Sequence, residues 1–371
     1  MPNPSLVLGP YGSGPASGLR VALKLRQARA SLLGWDAQIE AAQADYGYGH
    51  VGLEARAALG LDWPRALELV EGICGGCSQA NALAYVQAVE AMAQLIVPPR
   101  AAYLRLVLCE LERAASHLLN VAETLAALHL HDTEVPVRDL RERIVQATGE
   151  WAGARFHPGL ITYGGLSRNT EENANRALTV EVRHVERALR MQVNSIVNNR
   201  AIASRLAGLG VITQEEAGLA GLRGPAARAS GLAVDIRAGF PTGAYEEEAA
   251  TIVVQRAGDA FSRLAVRLLE SLESMRLVEQ ALDDLPPGPV RARGSGELRM
   301  GAGSGIGRVE GPRGEVFCWV RSDAQGLLGL HLSGGSVPML GILPGLLRDN
   351  SPEDVPLLLL SADICLACAE R

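Results

Sequence analysis

The sequence predicts a predominantly helical α+β protein: a bundle of long helices with small peripheral β-elements and a metal site between two C-x-x-C turns. Three observations predict this fold. Long stretches repeat apolar residues at the spacing of half-buried helices. Glycine-rich segments towards both ends accompany short apolar or alternating runs, as strands do. Four of the six cysteines form two C-x-x-C pairs, one in the first third of the chain and one at its end.

Composition bounds the classes of protein that this chain can represent. It has 371 residues, 48% hydrophobic and 20% charged, so it can bury a large core. The net charge of -6 argues against a surface that neutralises nucleic-acid phosphates, and we expect no nucleic-acid partner. No apolar run reaches the roughly 20 residues of a membrane span, and the start lacks the features of a secretory signal. We therefore expect a cytoplasmic location.

The elements are predicted in order along one domain that spans residues 1–371. Residues 1–60 form a small β-rich element, because glycine-rich turns there flank apolar stretches such as residues 19–25. A helical body follows over residues 61–290. Its first clear helix covers residues 101–130, where apolar residues recur at intervals of three and four. These residues are Leu104, Leu108, Leu111, Ala115, Leu118, Leu119 and Ala122.

Two more long helices are predicted over residues 171–206 and 245–282, and prolines close the second one. Residues 291–371 form a mixed part that contains the last cysteine pair. Within it, residues 315–320 alternate as a strand does. The glycines just before them do not form a dinucleotide-binding fingerprint, because Ile306 occupies the final glycine position.

The cysteine pairs, Cys74 with Cys77 and Cys365 with Cys368, lie far apart in the sequence. A zinc knuckle usually has its pairs within a few tens of residues, so here the fold itself must unite them. Four thiolates in two tight turns suit zinc, an iron–sulfur cluster, or nickel with iron. The lone Cys109 and Cys318 are predicted to be buried small apolar residues.

Four segments resemble the large subunits of nickel-iron hydrogenases. Residues 71–77 (E-G-I-C-G-G-C) resemble the first cysteine motif of that family, and residues 363–371 (D-I-C-L-A-C-A-E-R) resemble its last one. Residues 49–54 (G-H-V-G-L-E) and 310–315 (E-G-P-R-G-E) resemble its histidine-to-glutamate and E-A-P-R-G segments. The short length, the Gly9-Pro10 opening and the end at Arg371 are similar to the energy-converting, membrane-bound (group 4) branch. That branch is related to the 49 kDa-type core subunit of complex I, which lacks the cysteine set.

The resemblance implies a nickel-iron centre whose iron carries cyanide and carbon monoxide. Cys74 and Cys365 would be terminal nickel ligands, and Cys77 and Cys368 would bridge the two metals. It also implies that the sulfur of Cys365 and the carboxylate of Glu54 accept protons during the reaction.

Three further residues receive roles from the resemblance. Arg313 would lie over the open coordination site, where a fixed guanidinium favours charge separation. Pro312 would hold the backbone of Arg313. Ser361 would donate a hydrogen bond to an iron-bound cyanide or cap the local backbone. His50 is interpreted as a supporting residue.

The implied function is reversible hydrogen oxidation and proton reduction. Because no iron–sulfur cluster is expected in this chain, electrons would leave through a small iron–sulfur partner subunit. Further soluble and membrane subunits of a complex I-like assembly would hold the pair at the inner face of the cell membrane. The sequence as given ends at Arg371, three residues after Cys368, and carries no C-terminal extension for a maturation protease to remove.

Five positions depart from the family pattern: Gly72, Gly76, Asn81, Ile364 and Val51. None is a direct metal ligand, but residues around a metal site alter its affinity and activity. These departures motivate an alternative, a complex I-like coupling or scaffold subunit whose hydrogenase chemistry is lost or altered. A plain zinc or iron–sulfur protein is a second alternative.

Overall fold

A computed structural model describes residues 5–9, 18–31, 34–50, 52–156, 159–294, 301–323 and 326–371, so Pro10 and Val51 lie outside the described residues. The chain opens with a three-stranded antiparallel sheet in the order β1 (Ser5–Leu8), β2 (Arg20–Ser31) and β3 (Gly34–Asp45). Alternate residues of β2, including Val21, Leu23 and Leu25, are buried. This sheet confirms the β-rich element predicted near the start of the chain.

Three helices lead from the sheet into the helical body: α1 (Leu53–Ala58), α2 (Trp63–Glu71) and α3 (Ser78–Ala93). Two long helices follow, α4 (Pro99–Ala127) and α5 (His131–Ala152). Helix α4 confirms the helix predicted over residues 101–130. It begins two residues earlier because proline at the first helical position has no amide hydrogen to leave unpaired.

The next segment contains the short hairpin β4 (Ile161–Thr162) and β5 (Gly165–Leu166), then α6 (Glu172–Val197) and α7 (Arg200–Leu206). The single helix predicted over residues 171–206 is therefore wrong. The side chain of Asn199 accepts hydrogen bonds from the amides of Ala201 and Ile202 and starts a new helix. Asparagine favours such a cap because its amide oxygen satisfies the free N–H groups of the first turn.

Three short helices, α8 (Gln214–Leu219), α9 (Gly224–Ala229) and α10 (Ile236–Gly239), and a 3-10 turn (Gly243–Glu246) precede α11 (Ala260–Asp283). The prediction that a helix runs from residue 245 is wrong over its first part. The Asp259 carboxylate caps α11 by accepting from the Ser262 amide. The preceding Gly258 has φ of +66°, which leaves the helical region.

The bundle consists of α4, α5, α6 and α11, with α4 packed against α5 and α11 and α6 against α5 and α11. The C-terminal part begins with an antiparallel sheet of β6 (Gly303–Gly311), β7 (Gly314–Ser322) and β8 (Leu327–Ser333). Strand β7 confirms the strand predicted over residues 315–320. Helices α12 (Ser336–Leu347), α13 (Val355–Ala362) and α14 (Leu366–Ala369) end the chain, with a 3-10 turn (Pro352–Asp354) before α13.

The glycines of β6 bring this sheet directly onto α3. A Cβ atom added to Gly305 or Gly307 would lie 1.9 Å from the carbonyl oxygen of Ala88 or Ala84, respectively. Only glycine allows a strand to approach a helix backbone so closely. One apolar core extends from the N-terminal sheet through the bundle to the C-terminal helices. Within the described part of the chain, no helix combines the length and the apolar character needed to cross a membrane.

Candidate metal centre

The four paired cysteines meet where the start of α3 lies beside the start of α14. Cys74 lies in the turn between α2 and α3, Cys77 directly precedes α3, Cys365 directly precedes α14, and Cys368 lies within it. Their Sγ atoms all lie within 4.8 Å of one another, and those of Cys74 and Cys365 are 3.3 Å apart. Three of the cysteines are buried and Cys74 is half-buried. The fold thus unites the distant pairs, as the sequence required.

The donor set fits a soft or borderline metal. Four sulfurs at metal–sulfur distances of about 2.3 Å around a tetrahedral ion lie roughly 3.8 Å apart, which falls between the shortest separation given above, 3.3 Å, and the upper limit of 4.8 Å. The same donors fit a pair of metals that share two bridging thiolates, because thiolates favour nickel, iron and zinc over harder ions. The arrangement of the four sulfurs therefore fits a metal centre, either a single ion or a pair of metals.

The four thiols do not ionise independently. Hydrogen bonds from Cys368, Cys74 and Cys77, together with the positive charge of Arg313, hold the pKa of Cys365 well below its usual range. Hydrogen bonds among the thiols and burial raise the pKa values of Cys77 and Cys368 well above that range. One thiol in the cluster is thus ready to ionise first. A metal cation would lower the pKa values of the others by its own charge.

Arg313 lies at the tip of the hairpin formed by β6 and β7, in a two-residue turn with Pro312 between the paired residues Gly311 and Gly314. Its Nη1 donates to Cys77 Sγ at 3.2 Å. Its Nη2 donates to Asp363 Oδ1 at 2.9 Å, and its Nε donates to the Asp363 carbonyl at 3.0 Å. A positive charge is therefore held against the sulfur cluster by a planar group that contacts both cysteine motifs.

Buried ionic groups fix this hairpin beside the cluster. Arg113 of α4 donates to the carbonyl oxygens of Gly311 and Glu310, the former at 2.9 Å. The carboxylate of Glu310 accepts from Arg228 Nη1 at 2.8 Å and from the Ile236 amide at 3.1 Å. These contacts give Glu310 and Arg313 different tasks. Glu310 anchors the strand, and Arg313 faces the sulfurs.

Residues beside the cysteines complete the pocket around them. Asp363 adopts φ of +51°, a left-handed conformation that costs a non-glycine residue about 1 kcal/mol or more. This conformation ends α13 and places both a carbonyl and a carboxylate oxygen against Arg313. The Cys365 amide donates to Ser336 Oγ at 3.0 Å. Asn81, one of the departures from the family pattern, has its Nδ2 3.9 Å from Cys368 Sγ and so lies directly beside the cluster.

The structure places three other predicted residues away from direct sulfur contacts. The carboxylate of Glu54 on α1 pairs with His331 Nδ1 of β8 at 2.7 Å and lies 3.6 Å from Arg371 Nε. Ser361 Oγ accepts from Arg263 Nε at 2.6 Å. His50 Nδ1 lies 2.9 Å from the Glu370 carbonyl, which fixes the 49–54 segment to the C-terminal motif. The catalytic role of Glu54 and the cyanide contact of Ser361 stay predictions.

The cluster opens onto a cavity of about 520 Å³ whose wall includes Cys74, Cys365 and Arg313. Helix α4 supplies one side of it through Glu112, Ser116 and other residues at helical spacing. No pattern in the sequence singles out Glu112 or Ser116. Both lie in an amphipathic helix whose periodicity indicates burial but does not show which polar side chain faces a cavity.

The lone cysteines behave as predicted. Cys109 of α4 and Cys318 of β7 belong to the apolar core. Burial raises the pKa of each thiol well above its usual range, which makes both poor nucleophiles and poor ligands.

The fold and the site together define a class: an α+β subunit, mainly helical, in which two cysteine pairs from distant segments form one metal-binding cluster beside a buried arginine. The model of the 49 kDa subunit of respiratory-chain NADH dehydrogenase matches residues 135–296. The membrane-bound hydrogenase subunit alpha of Pyrococcus furiosus is 31% identical over 326 residues, which cover 84% of this chain and 76% of that protein. The carbon monoxide-induced hydrogenase of Rhodospirillum rubrum is 30% identical, covering 82% and 84% of the two chains.

The chain therefore belongs to the family of 49 kDa-type subunits that membrane-bound hydrogenases share with respiratory complex I. A solved structure supports the same conclusion over the whole chain. A chain of the membrane-bound sulfane sulfur reductase, an archaeal respiratory membrane complex, superimposes with a TM-score of 0.88 at 25% identity. The alignment covers 100% of this chain and 98% of that one. The resemblance inferred from the four sequence segments is confirmed.

Proposed function

We propose that this chain is the large, catalytic subunit of a nickel-iron hydrogenase that converts molecular hydrogen reversibly into protons and electrons. The observation that supports this most is the set of four cysteine Sγ atoms within 4.8 Å of one another. Two relatives at 30 and 31% identity are hydrogenases by name. The four thiolates supply the soft donors that a nickel-iron centre requires.

In this proposal each cysteine has its own task. Cys74 and Cys365 would be ligands of nickel, and Cys77 and Cys368 would be ligands of both nickel and an iron that carries cyanide and carbon monoxide. When bound, the centre supplies an open coordination position for hydrogen and a store for two electrons. Cys77, Cys365 and Cys368 are buried, which limits the exposure of the sulfurs to bulk solvent.

The chain's own side chains handle charge and protons. In this proposal the Cys365 sulfur is the first proton acceptor, since it lies at the wall of the cavity beside the cluster. Arg313 keeps a positive charge beside Cys77 without losing its own proton, and its ion pair with Asp363 fixes the guanidinium plane. Pro312 restricts the backbone of the turn. Glu54 is a further proton acceptor in this proposal, and His331 holds its carboxylate in place.

The proposed enzyme works as part of an assembly. A small iron–sulfur subunit receives the electrons, and further soluble and membrane subunits hold the pair at the inner face of the cell membrane. A solved structure that matches the whole chain comes from a respiratory membrane complex, which supports a multi-subunit setting.

A second candidate is a coupling or scaffold subunit of a complex I-like assembly that has lost or changed the hydrogenase chemistry. The match to the 49 kDa subunit of NADH dehydrogenase favours it, as do Gly72, Asn81 and Ile364, which replace residues usual around the hydrogenase centre. This candidate predicts the same fold and neighbours but no cyanide or carbon monoxide.

Infrared spectroscopy separates the two candidates. The complex is purified with its partners from the native host without oxygen, and nickel and iron are quantified in the same sample. Sharp cyanide and carbonyl bands with about one nickel per chain support the hydrogenase. Zinc or iron without those bands, in a fully matured sample, rejects it and leaves the four cysteines as a structural or electron-transfer site.

A further inference from the structure

A carboxylate other than that of Glu54 lies beside the cavity onto which the sulfur cluster opens. Glu112 of α4 lines the cavity of about 520 Å³ whose wall also includes Cys74 and Cys365. Glu54 lies elsewhere, against His331 and Arg371. The cavity therefore connects the cysteines with the carboxylate of Glu112.

The position of Glu112 on α4 places it one helical turn from Ser116. Residues four apart lie on the same helix face, about 6 Å along the axis. Ser116 also lines the cavity, and its Oγ lies 3.4 Å from Arg313 Nη1, the atom that donates to Cys77 Sγ. A hydroxyl both donates and accepts hydrogen bonds, so Ser116 can pass a proton between a cavity water and the carboxylate.

Hydrogen bonds from α3 hold the carboxylate of Glu112 in place. Its Oε1 accepts from Ser78 Oγ at 3.1 Å and from the Gln79 amide at 2.8 Å, and its Oε2 accepts from the Ala80 amide at 3.1 Å. The three donors belong to the first turn of α3, where free amides and the helix dipole favour a negative charge. Burial opposes this effect and raises the pKa of Glu112 to about 7. A carboxyl group of this kind exchanges protons near neutral pH.

The other ionisable groups around the cavity come from every element that packs there. They are Glu123 of α4, Arg141 of α5, Arg155 after α5, Arg313 of the hairpin, and Cys74 and Cys365. Glu123 lies about 10 Å beyond Ser116 along the helix axis, on the side away from Glu112. Burial raises its pKa as well, and its Oε2 lacks a hydrogen-bond partner among the described residues.

We propose that Glu112 receives protons from the cysteine cluster through this cavity, with Ser116 between them, and releases them to solvent. This inference rests on the proposed hydrogenase function. Oxidation of one hydrogen molecule yields two protons and two electrons. The electrons leave to the iron–sulfur partner subunit, and the protons that leave through this cavity pass from the Cys365 sulfur to the Glu112 carboxylate and then to water. No bond other than those to the moving proton forms or breaks at Glu112.

The test compares Glu112→Gln with Glu123→Gln in the complete, matured complex. Both variants remove one carboxylate from the same cavity, and both leave the four cysteines intact. We expect Glu112→Gln to lower hydrogen-dependent reduction of a viologen dye about 100-fold, with unchanged metal content and unchanged cyanide and carbonyl bands. Glu123→Gln should stay within threefold of the unaltered complex. Equal losses in both variants, or no loss in Glu112→Gln, would overturn the assignment.

A second measurement does not depend on hydrogen turnover. In a pH series, infrared difference spectra of the unaltered complex should contain a protonated-carboxyl band that titrates near neutral pH and shifts in heavy water. That band should vanish in Glu112→Gln and persist in Glu123→Gln. If the unaltered complex lacks hydrogenase activity, the proposed function fails, and this titration alone decides whether Glu112 binds a proton. A spectrum unchanged by Glu112→Gln contradicts the proposal in either case.

A third variant covers the case in which Glu112→Gln does not assemble. Glu112→Asp retains an ionisable group but withdraws it by one methylene from Ser78 and the α3 amides. We expect a reduced rate and a shifted pH profile for dye reduction. A rate and profile identical to those of the unaltered complex reject the relay.

Discussion

Replacing Arg313 by lysine tests how the hairpin tip is fixed to the sulfur cluster. The guanidinium donates to Asp363 Oδ1 at 2.9 Å, to the Asp363 carbonyl at 3.0 Å, to Cys77 Sγ at 3.2 Å and to Ser116 Oγ at 3.4 Å. Lysine keeps the positive charge but has a single terminal nitrogen, which cannot reproduce a planar fork. Arg313→Lys therefore removes at least two of these four hydrogen bonds.

The expected loss of stability at the hairpin tip follows from those hydrogen bonds. Hydrogen bonds to charged partners contribute about 1.5 kcal/mol or more each, so two lost bonds weaken the closed hairpin tip by about 3 kcal/mol. This corresponds to roughly a 100-fold increase in the population of the open form. Arg267 Nε lies 3.7 Å from the other carboxylate oxygen of Asp363. In Arg313→Lys the Asp363 carboxylate therefore still has a cation beside it. The loss of stability is smaller than for a buried carboxylate with no partner.

Hydrogen–deuterium exchange in the purified complex measures this local opening. Peptides that cover residues 309–316 should lose about 100-fold in protection in Arg313→Lys. Arg308→Lys is the matched control, because Arg308 lies on the same hairpin and pairs at the partly exposed edge with Glu315. A surface pair contributes about 1 kcal/mol or less. Unchanged protection in Arg313→Lys, or an equal loss in Arg308→Lys, would refute the reasoning.

Three further sets of substitutions test the metal cluster, the buried side chain of His117 and the close backbone contact at Gly335. In the proposed hydrogenase, Cys365→Ser should abolish nickel and iron retention, measured by elemental analysis, whereas the core variant Cys109→Ser should retain both metals. Burial lowers the pKa of His117 to about 4, so the unfolded chain binds the extra proton first as the pH falls from 6.5 to 4. The folded state should then lose up to about 3 kcal/mol over that interval. A thermal-denaturation series should show a smaller pH dependence in His117→Gln; the same dependence in that variant would contradict the assignment. Gly335→Ala would place a Cβ atom 2.1 Å from a hairpin-tip carbonyl and should lower both thermal stability and metal content. Gly341→Ala meets no atom within 4 Å and should leave metal content unchanged while stabilising its helix by about 0.5 kcal/mol; equal behaviour of the two glycine variants would count against the steric argument.

The sequence patterns were reliable where a local signal decided the structure. Helix α4 follows from apolar periodicity, and strand β7 follows from alternation, because both elements bury one face against the core. The same reasoning merged α6 with α7 and started α11 too early. In both places a single capping side chain, Asn199 or Asp259, ended or began a helix within a stretch of good helix formers. Caps act through a few hydrogen bonds, which average hydrophobicity does not reveal.

The glycines of β6 illustrate a different limit on what can be predicted from the sequence. Their spacing excluded a dinucleotide fingerprint but gave no reason for their presence. The structure supplies it, since Gly305 and Gly307 lie against carbonyl oxygens of α3. A close backbone contact between distant segments leaves no local pattern beyond the glycine itself.

By itself, the sequence determined that the chain is a mainly helical α+β protein with four candidate thiolate ligands, because periodicity and ligand chemistry are written in residue types and spacing. Only the tertiary structure brought Cys74 to Cys365, set Arg313 against Cys77 and Asp363, and paired Glu54 with His331. It alone placed Glu112 on the cavity beside the cluster. The physical reason is that these contacts join segments far apart in the chain, and packing of the whole core decides which polar side chains meet.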